Sequence, residues 1–286
     1  MAASPTATLA HVPAGEWGRV YEPAEDSWLL SDAVCSDARA WLRSAPPTLM
    51  LELGSGSGAV CTSVLLFLQQ QAQAQAQAAA PPAAALCLAC DVSPYACRVT
   101  ASTAAANGVG ARVDVVQCDL LDALRARLRG AVDLLLFNPP YVPTPSHEVP
   151  PRGAFAAAAA AAAAAEAAEE APAAGGGAAP APAEAALDTL PAAWAGGENG
   201  REVIDRALPL LQELLRRPAA GGHGDDAGGT AYLLLLEDND PKDIARLLAA
   251  LGLATAIVAR RQAPCESLLV MRVQWAGAPL AREAAP

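Results

Sequence analysis

Between Leu134 and Thr144 the sequence reads LLLFNPPYVPT: an apolar run stops at an amide, two prolines and a tyrosine. Proline has φ fixed at about −65° and no N–H to donate. Pro139 and Pro140 therefore make a rigid turn that leaves its carbonyls, and the side chain of Asn138, free to accept from and donate to a ligand. Three further sites have a similar character. In LELGSGSG (Leu51 to Gly58), Gly54, Gly56 and Gly58 make a flexible turn after an apolar run, where backbone can approach a ligand closely. The third glycine arrives one residue too early for the G-x-G-x-x-G dinucleotide spacing, which speaks against a nicotinamide cofactor. Asp91 ends the next apolar run, about 35 residues later. A carboxylate there can accept from two ribose hydroxyls, or cap the helix that follows. Asp119 ends the third run, in QCDLL, where it can accept from an adenine amino group while Leu120 packs on the ring, or again serve as a cap.

Four polar groups at four consecutive run ends need a scaffold that brings those ends together. The apolar runs Thr48–Leu53, Ala84–Cys90, Arg112–Cys118, Val132–Phe137 and Thr230–Leu236 read as strands, followed by Ala254–Arg261 and Ser267–Val273. Helical spacing falls between them, at Ser57–Gln70, Pro94–Asn107, Leu120–Arg129, Gly200–Arg217 and Pro241–Leu251. Strands alternating with helices predict a doubly wound α/β fold with a mostly parallel sheet. Such sheets bind ligands beyond the carboxyl ends of their strands, where the four groups stand.

Composition narrows the function. The net charge is −11, from 19 basic and 30 acidic residues, and Lys242 is the single lysine. Nucleic-acid binders draw on Lys and Arg to neutralise phosphates, so nucleic acid is not the expected partner. The 53% hydrophobic content is inflated by alanine. Ala156 to Ala165 is too short and too weakly apolar to span a bilayer, and the first residues show no signal-peptide pattern. A soluble intracellular protein is expected, cytoplasmic, with a nuclear fraction left open. The seven cysteines suggest no disulfide framework. Cys87 and Cys90 form a C-x-x-C within a strand, where residues three apart face opposite ways, so no metal site is expected. His11, His147 and His223 sit in loop-like surroundings and receive no catalytic role.

One domain is expected over residues 19–275, between a flexible start (1–18) and a flexible end (276–286), with low-complexity insertions at about 69–85 and 152–190.

The glycine turn, Asp91, Asp119 and Asn-Pro-Pro-Tyr together resemble the Rossmann-like S-adenosylmethionine-dependent methyltransferases that act on planar nitrogens. VYEPAEDSWLL (Val20 to Leu30), AAWAGGENGREVIDR (Ala192 to Arg206) and RRQAPCESLLVMR (Arg260 to Arg272) are similar to the eukaryotic HemK-related branch. The likeness spans nearly the whole chain apart from the two insertions. It implies a seven-stranded sheet whose last strand is antiparallel. It also implies S-adenosylmethionine as cofactor, and N5-methylation of the glutamine in the Gly-Gly-Gln motif of the class I peptide chain release factor. Asn138, Pro139 and Tyr141 would be the catalytic residues. The Asn138 side-chain oxygen and the Pro139 carbonyl would accept from the substrate NH₂, with Pro140 rigid behind them and Tyr141 packed on the planar group. Ser27, Glu52, Gly54, Gly56, Asp91, Asp119, Leu120 and Asn138 would hold the cofactor, Glu52 at its methionine end, while Glu25 and Asp26 help to close the site. The Trp194–Gly200 stretch would line the substrate entrance, its glycines admitting the substrate backbone. A small zinc-binding activator subunit would pair with the sheet edge near RVDVVQC. Methylation of adenine in DNA, an arsenic species or a histone lysine, and a non-catalytic cofactor-binding subunit, are the alternatives.

Overall fold

The computed structural model describes residues 4–41, 46–76, 85–122, 124–154, 190–219, 228–263 and 266–277. Most of the two expected insertions and of the C-terminal tail lies outside these residues. Seven strands form one sheet in the order β3-β2-β1-β4-β5-β7-β6. They are β1 (Leu49–Leu53), β2 (Leu86–Asp91), β3 (Val113–Gln117), β4 (Leu134–Phe137), β5 (Thr230–Leu236), β6 (Leu253–Gln262) and β7 (Ser267–Trp275). The first five pair in parallel, and β7 runs antiparallel to both β5 and β6. Every residue of β4 and β5 is buried, because a central parallel strand is covered on both faces and so takes a continuous apolar run.

The covering helices are α1 (Glu25–Trp41), α2 (Ala59–Ala76), α3 (Pro94–Ala106), the single turn α4 (Arg125–Leu128), α5 (Glu202–Leu214) and α6 (Pro241–Ala250). Helix α3 starts on its sequence signals: Ser93 Oγ accepts from the Ala96 N–H (3.3 Å) and Pro94 occupies the first turn. Helix α5 buries Ile204, Ala207, Leu208, Leu211 and Leu214, a stripe at helical spacing. Among the described residues no helix is long and apolar enough to cross a membrane.

Three expectations are corrected. Helix α2 continues through the first Gln/Ala residues to Ala76, as expected of Ala and Gln, which are good helix formers. The helix expected over Leu120–Arg129 shrinks to one turn, because Leu120 and Leu121 have left-handed φ values of 44° and 67°. Within the stretch 1–18, expected to be flexible, residues 7–12 are docked. The Ala7 N–H donates to Ser63 Oγ (2.9 Å), and Thr8 exchanges two hydrogen bonds with the Asn107 side chain (2.8 and 2.9 Å). Val12 and Val20 bury against Ala96 and Val99 of α3. Hydrophobic residues without regular spacing carried no element signal, yet suffice to seat a loop on an apolar helix face.

Asp133, at the foot of β4, ties three chain segments together. It accepts from the Thr48 N–H (2.9 Å), Thr48 Oγ1 (2.6 Å), the Leu49 N–H (3.1 Å) and Arg216 Nε (2.6 Å). Burial pushes its carboxyl up, but these donors outweigh it and hold the pKa below the usual range. Asp133→Ala takes away the acceptor these donors share and is expected to cost about 3 kcal/mol. With a depressed folded-state pKa, the contribution is complete above the unfolded carboxylate value and fades as pH falls through the folded one. Urea midpoints of parent and variant should therefore converge in acid.

Candidate active site

Strands β1 to β4 deliver their carboxyl ends to one cavity. Strand β1 runs into Gly54, Gly56 and Gly58, all with left-handed φ of 53–72°. At Gly58 a Cβ would stand 2.8 Å from Thr100 Cα, so this glycine lets α2 and α3 approach. The Gly56 N–H donates to Asp91 Oδ2 and the Ser93 N–H to Oδ1, both at 2.8 Å. The Asp91 carboxylate thus pins the glycine turn and the approach to α3, whose cap is Ser93 and not Asp91, and each oxygen keeps a second lone pair for a hydroxyl. Burial lifts its pKa against those N–H groups.

Glu52, inside β1, is 2% exposed, and its Oε2 has no hydrogen-bond partner. Burial, and then contact with Cys61, pushes its pKa well up. An unpaired buried carboxyl oxygen is costly, and its position on the cavity wall suits a ligand that brings a positive charge. Across the pH window from the ordinary carboxylate value to the raised one, the unfolded chain has released this proton and the folded chain holds it. Stability falls there as pH rises, by at most about 1.4 kcal/mol per pH unit for one proton. Glu52→Gln is expected to remove that slope. Urea titrations should show the variant gaining on the parent as pH increases; a constant gap would mean Glu52 ionises freely in the fold.

At the other end of the cavity Asp119 carries an ion pair. Arg206 of α5 donates from Nη2 to Asp119 Oδ2 at 2.6 Å, leaving Oδ1 for a ligand. Leu120 lies beside it on the wall.

The Asn-Pro-Pro-Tyr turn is held by one carboxylate from the start of α1. Asp26 is 3% exposed. Its Oδ2 accepts from Asn138 Nδ2 (2.8 Å) and from the Tyr141 hydroxyl (3.3 Å). Its Oδ1 accepts from the Tyr21 hydroxyl (3.1 Å), the Ser27 N–H (2.7 Å) and Ser27 Oγ (3.3 Å). Burial, then the charge of Asp26, raises both tyrosine pKa values, so they remain donors. Because the Asn138 NH₂ is committed to Asp26, its Oδ1 must face away, and that oxygen is buried with no partner. Glu25, the neighbour of Asp26, instead pairs with Arg261 (2.7 Å) at the surface.

Ser27, Glu52, Gly54, Gly56, Asp91, Asp119, Leu120, Asn138 and Pro140 all line the one cavity. Pro139 and Tyr141 do not. Pro139 is buried. Tyr141 is 7% exposed within the apolar core, so it supports the turn from behind, where the sequence suggested a face for the substrate. The glycines of the Trp194–Gly200 stretch are likewise packed on the turn itself. A Cβ at Gly196 would meet the Pro140 carbonyl at 2.7 Å, and one at Gly200 the Tyr141 carbonyl at 1.9 Å. Asn239, fully buried, donates to the Tyr141 carbonyl (2.9 Å) and closes this support. Sequence reasoning gave no role to Arg206, Asn239 or Arg19, and it picked out the segment that carries Val20 and Tyr21 without placing those two on the wall. Among the described residues there is no group of three His, Cys, Asp or Glu side chains that could hold a metal ion.

A seven-stranded sheet of this order with an antiparallel seventh strand, and a cavity over the carboxyl ends of its parallel strands, is the Rossmann-like fold of the methyltransferases. No family model matches the chain. It is 36% identical over 268 residues to Methyltransferase HEMK2 of Mus musculus, covering 94% of this chain and 95% of that protein. It is 28% identical over 269 residues to the eRF1 methyltransferase catalytic subunit mtq2 of Schizosaccharomyces pombe, with 92% of each covered. The solved E. cuniculi Mtq2-Trm112 complex contains a chain with 21% identity and a TM-score of 0.47, covering 90% of this chain and 99% of that one. The chain belongs to the HEMK2 methyltransferase family.

Proposed function

We propose that this methyltransferase uses S-adenosylmethionine to N5-methylate the glutamine of the Gly-Gly-Gln motif in a class I peptide chain release factor. The observation that carries the reading is Asn138: its NH₂ is fixed on Asp26 and its buried Oδ1 has no partner. An amide nitrogen is a poor nucleophile whose lone pair is drawn into its carbonyl. An acceptor on each of its N–H bonds orients the group and favours electron density on nitrogen. Asn138 Oδ1 supplies one acceptor and the Pro139 carbonyl the other, on a turn made rigid by Pro140 and braced by Tyr141 and Asn239.

The cavity fits the cofactor on chemical grounds. Glu52 offers an unpaired carboxyl oxygen to an ammonium, Asp91 two free lone pairs to a ribose, and Asp119 Oδ1 an acceptor to an adenine amino group beside Leu120. Ser27, Gly54 and Gly56 complete the wall. The bound cofactor supplies a methyl group already activated on a sulfonium, so the chain's own task is to orient and to exclude water. Proximity of this kind is worth up to about 11 kcal/mol in favourable cases, and preorganised dipoles add to it.

A small zinc-binding activator is proposed as partner on β3. That strand is the sheet edge, and Leu86 beside it is 55% exposed. Unpaired edge backbone with apolar flanks suits strand addition. The enzyme would act in the cytoplasm, where release factors work.

The test is peptide mass spectrometry of the release factor after incubation with S-adenosylmethionine, this chain and the activator. One added CH₂ on the Gly-Gly-Gln glutamine, absent with Asn138→Ala, supports the reading. Transfer to DNA or histone instead would keep the fold and replace the substrate, and cofactor binding without any transfer would reduce the chain to a binding subunit.

A further inference from the structure

The cavity wall between Asp91 and Asp119 is built partly of sulfur. Cys90 precedes Asp91 in β2, and Cys118 follows the last residue of β3. In the parallel ladder Cys90 stands opposite Val116, and Asp91 opposite Gln117. The Cys118 N–H continues the ladder by donating to the Asp91 carbonyl (2.9 Å). Cys118 therefore leaves the sheet on the face of Val116 and Cys90, one step further along. Both cysteines line the cavity. Cys90 is 1% exposed, whereas Cys118 is only half-buried.

The turn after Cys118 is shaped around its sulfur. Left-handed backbone at two successive leucines, Leu120 and Leu121, is strained, at about 1–3 kcal/mol each. It brings the Leu121 N–H onto Cys118 Sγ. Cys90 Sγ is hydrogen-bonded to that sulfur as well, and Cys118 Sγ also faces the Val116 carbonyl at 3.9 Å. The hydrogen bonds with Cys90 and then with the Leu121 N–H hold Cys118 below the usual thiol range against burial and the carboxylates of Asp119 and Asp122. Cys90 itself is pushed well up, by its contact with Cys118 and then by burial. Cys118 reaches the cavity and Cys90 lies buried against it, which places the first as the attacking and the second as the resolving cysteine.

We propose that Cys118 and Cys90 form an oxidisable dithiol site in the wall of the cofactor cavity, reactive toward hydrogen peroxide, whose disulfide disables cofactor binding. The Cys118 thiolate attacks one peroxide oxygen, the O–O bond breaks, and hydroxide leaves, giving a sulfenic acid. Cys90 sulfur then attacks that sulfur. The S–S bond forms, the Cys90 proton and the sulfenic OH leave as water, and the hydroxide released in the first step is neutralised by solvent buffer. Closing the bond draws Cys118 toward β2 and takes the adjoining Asp119 and Leu120 with it. This last consequence rests on the cavity being the S-adenosylmethionine site; the oxidation does not.

Two other sets of thiols act as internal controls. Cys61 and Cys87 touch each other but are 0% and 2% exposed. Cys97 is half-buried, and burial pushes it up to about 12. The experiment treats the reduced full chain with hydrogen peroxide, with and without saturating S-adenosylhomocysteine. Non-reducing peptide mass spectrometry locates disulfides, and calorimetry reads S-adenosylhomocysteine affinity. A Cys90–Cys118 cross-link is expected, slowed by the ligand, with affinity lowered at least tenfold and restored by dithiothreitol. Cys90→Ser and Cys118→Ser, each compared with itself before and after peroxide, should lose both the cross-link and the peroxide effect. Cys118 left reduced, or a disulfide placed elsewhere, overturns the site. A Cys90–Cys118 cross-link with unchanged affinity overturns its consequence. Failure of the reduced chain to bind S-adenosylhomocysteine would count against the cofactor reading and against that consequence, leaving the dithiol to be judged by the cross-link.

Discussion

Asn138→Ala is expected to lower kcat for glutamine methylation about a thousandfold while S-adenosylmethionine affinity changes less than tenfold. Removing one preorganised hydrogen-bonding group from a reacting centre costs about 10²- to 10³-fold. On the proposed reading the lost group is one of two acceptors that hold the substrate NH₂, so its loss would also free the amide to rotate. The fold should survive, because Asp26 keeps the donors of Tyr141, Tyr21 and Ser27. Asn138→Asp makes a sharper test. Two carboxylates would then face each other across the 2.8 Å that now separates Asn138 Nδ2 from Asp26 Oδ2, and like charges so close share a proton. With the proton present, the introduced carboxyl can donate to Asp26 and still offer an acceptor to the substrate. Activity of this variant should fall as pH rises over a range where the parent is flat. Stopped-assay kcat values across pH, beside calorimetric cofactor affinities, decide it; an Asn138→Ala enzyme with unchanged kcat would remove Asn138 from the mechanism.

Much of this site was legible because its parts lie at strand ends, and strand ends announce themselves. The apolar runs gave all seven strands, and Gly54, Asp91, Asp119 and Asn138 follow from where those runs stop. What stayed hidden are the partners that chain distance separates. Asp26 reaches Asn138 across 112 residues and Arg206 reaches Asp119 across 87, and no local pattern ties an aspartate in a helix start to an amide after the fourth strand. Gly200 looked like a residue that admits a ligand, yet the atom it makes room for is the Tyr141 carbonyl. Glycine spacing reports that something comes close without saying what. Tyr141 shows the same ambiguity, since an aromatic after two prolines can face the ligand or the core, and its hydroxyl found Asp26 in the core.

Asp26→Asn should lower kcat about 10²-fold or more, although Asp26 lies on the far side of Asn138 from the reacting amide. Its carboxylate is the reason the Asn138 amide has one orientation. An asparagine at position 26 offers an NH₂ as readily as an oxygen, so Asn138 can flip and turn its own NH₂ toward the substrate, where a donor opposes the N–H bonds it should accept. The near-identical shape keeps packing intact, which separates orientation from folding. Cofactor affinity should change little, because Asp26 itself does not line the cavity. The swap Asp26→Asn with Asn138→Asp is the decisive arm. An asparagine at position 26 can donate to an aspartate at position 138, whose other oxygen is then an acceptor by necessity, since a carboxylate has no donor face to present. The double variant should recover about tenfold over Asp26→Asn alone. Measured kcat, cofactor affinity and thermal midpoint for the parent, both single variants and the double variant form the cycle. If the double variant is no better than the product of the single losses, Asp26 holds the fold of the turn and not the direction of its amide.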